Sequence, residues 1–175
     1  MSEVNFPQKK NFYNVFVAQR TILLGVGNPI LSDDRVGLIV VEEVERILNQ
    51  LMGGIPDWLK IGYATRGGLE FVEKLAGFER AIIVDSIKTG VRAPGSVYEF
   101  SIDDFRDTEH LTSYHAVNLA TALKLGEELG SSMPKEISIL AIEIVENQVI
   151  SEDVNAEVLK SAKELARKLA IELAS

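Results

Sequence analysis

The chain has 175 residues, of which 46% are apolar and 25% are charged, a profile that suits one globular domain and is too short for two of ordinary size. Its 18 Lys and Arg residues against 26 Asp and Glu residues give a net charge of −8, which disfavours a nucleic-acid partner. The absence of cysteine excludes disulfides, thiolate metal ligands and a cysteine nucleophile, so any metal has to be bound by oxygen or imidazole.

The apolar runs are too short for a membrane protein. Residues 21–26 and 137–142 are among the longest, far below the roughly 20 residues that a membrane-spanning helix needs, and the first twenty residues lack the apolar stretch of a secretory signal. We therefore expect a cytoplasmic protein without a membrane span, in which residues 1–20 form a flexible N-terminal arm and residues 21–175 form a single α/β domain.

The first predicted unit of the domain is strand, turn and helix. Residues 21–26 are almost all apolar and precede Gly27-Asn28-Pro29, which indicates a strand buried on both faces followed by a tight turn. Ser32 or Asp33 can cap the helix that follows, and Gly53-Gly54 can end it. Its apolar positions recur at helical spacing: Val36, Ile39, Val40, Val44, Ile47, Leu48 and Leu51.

Strands and helices continue to alternate along the rest of the chain. The patterns predict a strand at 59–65, a short helix at 69–76 and a buried strand at 81–84 that ends at Asp85. An edge strand at 97–100, which can run antiparallel, and an acidic loop at 101–111 follow. The rest of the chain is predicted to form a helix from Thr112 or Ser113 that buries Ala116, Leu119, Ala120 and Leu123, a strand at 137–142, and a closing helix from Val154 to Leu169. This order predicts a twisted, mostly parallel five-stranded sheet with one antiparallel strand and helices on both faces. Ligands of such sheets lie beyond the carboxyl ends of the strands.

Three polar residues are predicted to lie at that edge. Of the pair Asp33-Asp34 at the start of the first long helix, one carboxylate suffices as a cap and the other can face the cleft. Asp85 follows an apolar run, where a carboxylate needs a cation, a proton or N–H donors, although a turn-forming role explains it equally well. His115 lies in the first turn of its helix, where the helix dipole keeps imidazole neutral and able to bind metal.

Each of these residues alone has an ordinary structural explanation, and their combination is more informative. Two carboxylates and one imidazole from three loops at one sheet edge suit Zn, Ni or Fe. His110, in the acidic loop, is the weaker candidate. The Gly25–Gly27 turn lacks the third glycine of a dinucleotide-binding motif, since Ile30 stands in its place. No serine lies in a nucleophile elbow, so a Ser/His/Asp triad is not supported either.

Three blocks of the sequence carry a family resemblance. They are the run from Leu24-Gly25-Val26-Gly27-Asn28-Pro29 to Asp33-Asp34-Arg35-Val36-Gly37, the run Ala81-Ile82-Ile83-Val84-Asp85-Ser86 followed by Ala93-Pro94-Gly95, and Ser113-Tyr114-His115 followed by Leu119. In this order they resemble the hydrogenase maturation endopeptidases, which process the large subunit of nickel-iron hydrogenases. The resemblance extends over roughly residues 22–173, whereas a chance match to one motif would cover only a short segment.

The resemblance implies a phosphorylase/hydrolase-like fold and a catalytic and metal-contacting role for Asp34, Asp85 and His115. The implied partner is the precursor of a nickel-iron hydrogenase large subunit, already loaded with nickel, from which a C-terminal extension is cut. The nickel would belong to the substrate, and the free protein would at most take up an adventitious divalent ion such as zinc or cadmium. Nothing in the pattern demands a partner chain, so we expect a monomer.

Two departures from the family pattern and two alternative functions remain at this point. Residues 63–68 keep only part of the expected acid-and-glycine pattern, and Arg35 replaces a small residue. A peptidyl-tRNA hydrolase has a similar glycine turn and layout, but its catalytic His after that turn is missing here and the charge of −8 suits tRNA badly. A non-enzymatic chaperone that senses metal on the precursor is the other alternative.

Overall fold

The computed structural model of the chain describes residues 19–65, 67–105, 114–145 and 148–175. The predicted N-terminal arm lies outside these residues except for its last two positions. His110 and the predicted helix caps Thr112 and Ser113 also lie outside them. In the remainder, the alternation of strands and helices predicted from the sequence is confirmed.

The described residues form five strands and four α-helices. In chain order they are β1 (Thr21–Val26), α1 (Val36–Met52), β2 (Leu59–Ala64), α2 (Leu69–Leu75), β3 (Arg80–Ile87), β4 (Val97–Ser101), α3 (Tyr114–Glu128), β5 (Glu136–Glu143) and α4 (Ala156–Ala174). Short 3₁₀ helices precede α1 at Asp33–Arg35 and follow β4 at Ile102–Phe105. None of the helices in the described ranges is both long enough and apolar enough to span a membrane.

The strands form one sheet in the order β2-β1-β3-β5-β4. Four strands are parallel, and β4 pairs antiparallel with β5 at the edge, as the sequence predicted. The chain passes from β1 to β2 on one side and returns to β3 on the other, so the strand order reverses between β1 and β3. In open α/β sheets the crevice at such a reversal is where ligands bind.

Helices cover both faces of the sheet. The apolar residues of α1 and α4 pack with Leu23, Val84 and Leu140 on one face, whereas those of α2 and α3 pack with Leu24, Ile83 and Ile139 on the other. Burial of every residue of β1 confirms the prediction of a strand covered on both sides. Successive side chains of a strand point to opposite faces, so each central strand contributes to both clusters.

The start of α1 lies unusually close to the sheet. A Cβ atom on Gly37 would be 2.3 Å from the carbonyl oxygen of Val26 and 2.4 Å from that of Val84. A Cβ on Gly25 would be 2.8 Å from the carbonyl oxygen of Gly37. Only glycine permits this contact, which places the first turn of α1 over the carboxyl ends of β1 and β3.

Several element boundaries differ from the predictions. β3 continues to Ile87, so Asp85 lies inside the strand and not at its end. Leu51 is 60% exposed, because the buried stripe of α1 ends one turn earlier, at Leu48. Val154 precedes α4, whose N-cap is Asn155 with its side chain accepting from Glu157 N and Val158 N. The acidic loop begins with the 3₁₀ helix that follows β4.

Candidate functional site

Asp34 lies at the reversal between β1 and β3. It belongs to the 3₁₀ helix that links the turn after β1 to α1, and its side chain is half-buried. The backbone N–H of Asn28 donates to its Oδ2 at 2.9 Å, and the Ser86 hydroxyl donates to its Oδ1 at 2.8 Å. Because each oxygen has its own donor, the carboxylate plane is held in one orientation.

Asp33 has a different role from its neighbour. It is 1% exposed, and its two oxygens accept hydrogen bonds from Asn155 N at 2.7 Å and Val145 N at 3.1 Å. The carboxylate therefore ties the start of the 3₁₀ helix to the segment after β5 and to the N-cap of α4. The N-cap of α1 is Arg35, so the prediction that Ser32 or Asp33 caps this helix was wrong. The Ser32 hydroxyl donates instead to the Asp153 carbonyl.

Asp85 is buried within β3, with 5% of its surface exposed, and it pairs in register with Ala141 of β5. Its Oδ1 accepts the backbone N–H of Ser86 at 2.7 Å. Ser86 is thus in contact with both aspartates, donating its hydroxyl to Asp34 and its N–H to Asp85. Sequence reasoning did not single out this serine, which contacts both predicted site residues.

His115 is the second residue of α3, and its side chain lies outside the described residues, as does the whole of His110. Beyond the end of α3, the Ser132 carbonyl accepts from Gly77 N, just before the start of β3. That end of α3 therefore lies at the amino edge of the sheet, which places its first turn toward the carboxyl edge, on the face to which Asp85 points. Among the described side chains, no three His, Cys, Asp or Glu residues form a metal-binding group.

Glu143 is a buried acid that the sequence analysis missed. It ends β5, is 1% exposed, and accepts hydrogen bonds from Thr89 N at 2.8 Å, Thr89 Oγ1 at 2.6 Å, Gly90 N at 2.8 Å and Tyr98 OH at 2.9 Å. Burial raises the pKa of Glu143, but the hydrogen bonds from Thr89, Gly90 and Tyr98 outweigh burial, so the pKa lies below its usual value. The sequence offered one sign of this site, because Glu143 is an acid that directly follows the apolar run at 137–142.

The rim beside Asp34 is apolar and exposed. Leu31 forms an antiparallel bridge with Ile150, Ser32 N donates to the Val149 carbonyl, and Ser151 N donates to the Ile30 carbonyl. Ile30, Val149 and Ile150 are 58%, 52% and 77% exposed. The turn that carries Asp34 is therefore braced by the segment after β5, with apolar side chains facing outward.

Sequence comparisons place the chain among known proteins. The family described as HycI, hydrogenase maturation protease, matches residues 64–172, more than half of the chain. A hydrogenase 2 maturation protease from Escherichia coli (strain K12) is 28% identical over 129 residues, which cover 70% of this chain and 72% of that protein. The family match begins after the glycine turn shared with peptidyl-tRNA hydrolases, so it rests on the later blocks and favours the maturation protease over that alternative.

Solved structures share the fold. A NiFe hydrogenase maturation protease HycI from Thermococcus kodakarensis superposes with a TM-score of 0.71 at 19% identity, covering 93% of this chain and 98% of that one. The hydrogenase maturating endopeptidase HybD from Escherichia coli gives a TM-score of 0.65 at 22% identity, covering 86% and 89% of the two chains. With the family match over residues 64–172, these findings show that the chain belongs to the hydrogenase maturation protease family, whose members are endopeptidases acting in hydrogenase maturation.

Proposed function

We propose that this peptidase removes the C-terminal extension from the nickel-loaded precursor of a nickel-iron hydrogenase large subunit, and that Asp34, Asp85 and His115 contact the nickel. The metal is then part of the substrate and marks where the scissile peptide lies. The observation that carries the proposal is the joining of Asp34 and Asp85 through Ser86 at the reversal between β1 and β3.

The chemistry of these groups supports a metal contact. A carboxylate has about four lone-pair sites, and the described residues donate only two hydrogen bonds to Asp34, so it retains capacity for a cation. Oxygen and imidazole ligands suit nickel, zinc and iron. The first turn of α3 carries His115 toward the same sheet edge, on the face to which Asp85 points.

Recognition of the metal gives cleavage a proofreading step. If binding of the nickel places the extension across the apolar rim formed by Ile30, Val149 and Ile150, a precursor without nickel is held in the wrong position and is left uncut. Loss of correct placement by about 1 Å is enough to slow a reaction about 100-fold.

The test compares two forms of one substrate. Purified precursor is prepared with and without nickel, each is incubated with the protein, and release of the C-terminal peptide is followed by mass spectrometry. We expect release from the nickel-loaded form alone. A precursor already lacking its extension is the control for unspecific proteolysis, and equal cutting of the loaded and unloaded forms would refute recognition of the metal.

A further inference from the structure

Ser86 has an uncommon position for a serine. It is 7% exposed within β3, and its neighbour Val84, two residues earlier, packs in the cluster formed with α1 and α4. Side chains of a strand alternate, so Ser86 faces α1 whereas Asp85 faces α2 and α3. A buried hydroxyl has to find a hydrogen-bond partner, and this one donates to the carboxylate of Asp34 across 52 residues of sequence.

We propose that Ser86 is a positioning residue for the cleavage reaction, which holds the carboxylates of Asp34 and Asp85 in the orientation that the substrate's metal requires. This inference rests on the function proposed above. The Ser86 hydroxyl donates to Asp34, in the 3₁₀ helix before α1, and the Ser86 backbone N–H donates to Asp85, the preceding residue of β3.

The geometry explains why the hydroxyl matters for orientation. Asp34 is fixed by two donors, Asn28 N on Oδ2 and Ser86 Oγ on Oδ1. Without the hydroxyl, the Asn28 N–H is the one donor to Asp34 left among the described residues, so those residues hold the carboxylate at Oδ2 alone. Partners that orient a metal-binding carboxylate typically affect metal affinity or activity by about 10–100-fold when they are removed.

The first experiment measures kcat and KM for the nickel-loaded precursor. We expect S86A to lose about 10–100-fold in kcat/KM, and S86T, which keeps the hydroxyl, to recover most of that loss. T21V is the matched control, because Thr21 is a buried strand residue whose hydroxyl donates to Gln19 at the opposite edge of the sheet. It should cut like the wild type. Wild-type activity in S86A, or a folded S86T as slow as S86A, would overturn the role of Ser86.

The second experiment asks whether Ser86 acts through Asp34, independently of cleavage. The denaturant midpoint of unfolding is measured for the wild type, S86A, D34A and the double variant. We expect S86A to lower the midpoint in the wild-type background and to leave it nearly unchanged in D34A, because the bond is then already lost. Equal shifts in both backgrounds would overturn the inference.

The two experiments separate the possible failures. A wild-type protein that cuts no loaded precursor would refute the proposed function, and the role of Ser86 in it would fall with it. A wild-type protein that cuts the precursor, together with an S86A variant that cuts equally well, would refute the role of Ser86 alone.

Discussion

Two acids at the carboxyl edge of the sheet are held in different ways. Glu143, at the end of β5, is 1% exposed and accepts four hydrogen bonds from the segment between β3 and β4 and from Tyr98. Asp34, beyond β1, is half-buried, and the described residues give it two hydrogen bonds. Both carboxylates are oriented by neighbours, but the described part of the chain supplies donors for all four acceptor positions of Glu143 and for two of those of Asp34.

The difference separates a structural carboxylate from a candidate site. A buried carboxylate whose lone pairs are all engaged offsets its own desolvation and stabilises the loop around it. A carboxylate whose orientation is fixed but whose acceptor positions are not all occupied can bind a cation or a ligand. The same contrast distinguishes Asp33, whose oxygens anchor Val145 and Asn155, from Asp34 beside it.

The largest expected effect is that of D34A on cleavage. Loss of a metal-contacting carboxylate should lower kcat/KM for the loaded precursor by about 10³-fold, equivalent to about 4 kcal/mol in the barrier. The free energy of unfolding should change by only about 1 kcal/mol, because two hydrogen bonds at a half-exposed position are lost. Kinetics and denaturant unfolding measure the two effects, and E152A, which alters an exposed acid, is the control. Full activity of D34A would remove it from the site.

The next effect concerns the close contact between Gly37 in α1 and the carboxyl ends of β1 and β3, which lies directly after Asp34 in the chain. G37A should destabilise the protein by about 3 kcal/mol, because the new Cβ meets two backbone oxygens that cannot move aside. G54A is the matched control, since nothing lies within 4 Å of the Cβ it would add. Ala is the better residue for α1 by propensity alone, so a G37A variant as stable as the wild type in urea would show that this close contact is absent.

A smaller effect, which depends on pH, is expected at Glu143. The folded state lowers its pKa, so the stabilisation is present above its unfolded pKa of about 4.3 and is lost as the pH falls through the folded value. E143Q should therefore be less stable by about 2 kcal/mol at neutral pH. This difference should shrink below about pH 4. Urea unfolding from pH 3 to 7 measures it, and a difference that is constant over this range would contradict the assigned ionisation.

The smallest effect is expected for D33N, which tests whether Asp33 differs in role from Asp34. D33N replaces one acceptor oxygen by an amide N–H that faces a backbone N–H, which should reduce stability by about 1–2 kcal/mol. Under conditions in which the variant is folded, its kcat/KM should stay within about 10-fold of the wild type, because Asp33 only anchors the segment. A loss as large as that of D34A, measured in the same assay, would show that both acids belong to the site.

Sequence patterns predicted the architecture well because long, strongly periodic segments carry it. The apolar run of β1, the helical stripe of α1 and the alternation in β4 each predicted the observed element, and the expected antiparallel edge strand is present. The position of Asp34 near the carboxyl ends of β1 and β3 could be predicted because parallel strands end at one edge of the sheet. These inferences depend on local pattern and simple topology.

The residues that were missed act through contacts between distant segments. Ser86 meets Asp34 across 52 positions, and Glu143 meets Thr89 across 54. Gly37 is the glycine that permits close packing of helix on strand, whereas the dinucleotide-binding motif places its third glycine at position 30. A single sequence shows no register between strands, so it could not show which donors meet these groups.

The proposed function requires the side chains of Asp34, Asp85 and His115 to share one point in space where a metal fits. Soaking crystals of the protein in zinc and locating the ion by anomalous scattering tests this most directly. We expect one peak bound by an oxygen of each aspartate and a nitrogen of the imidazole, at about 2.0–2.2 Å. A structure in which any of the three side chains points away from the other two, or in which zinc binds only elsewhere, would contradict it.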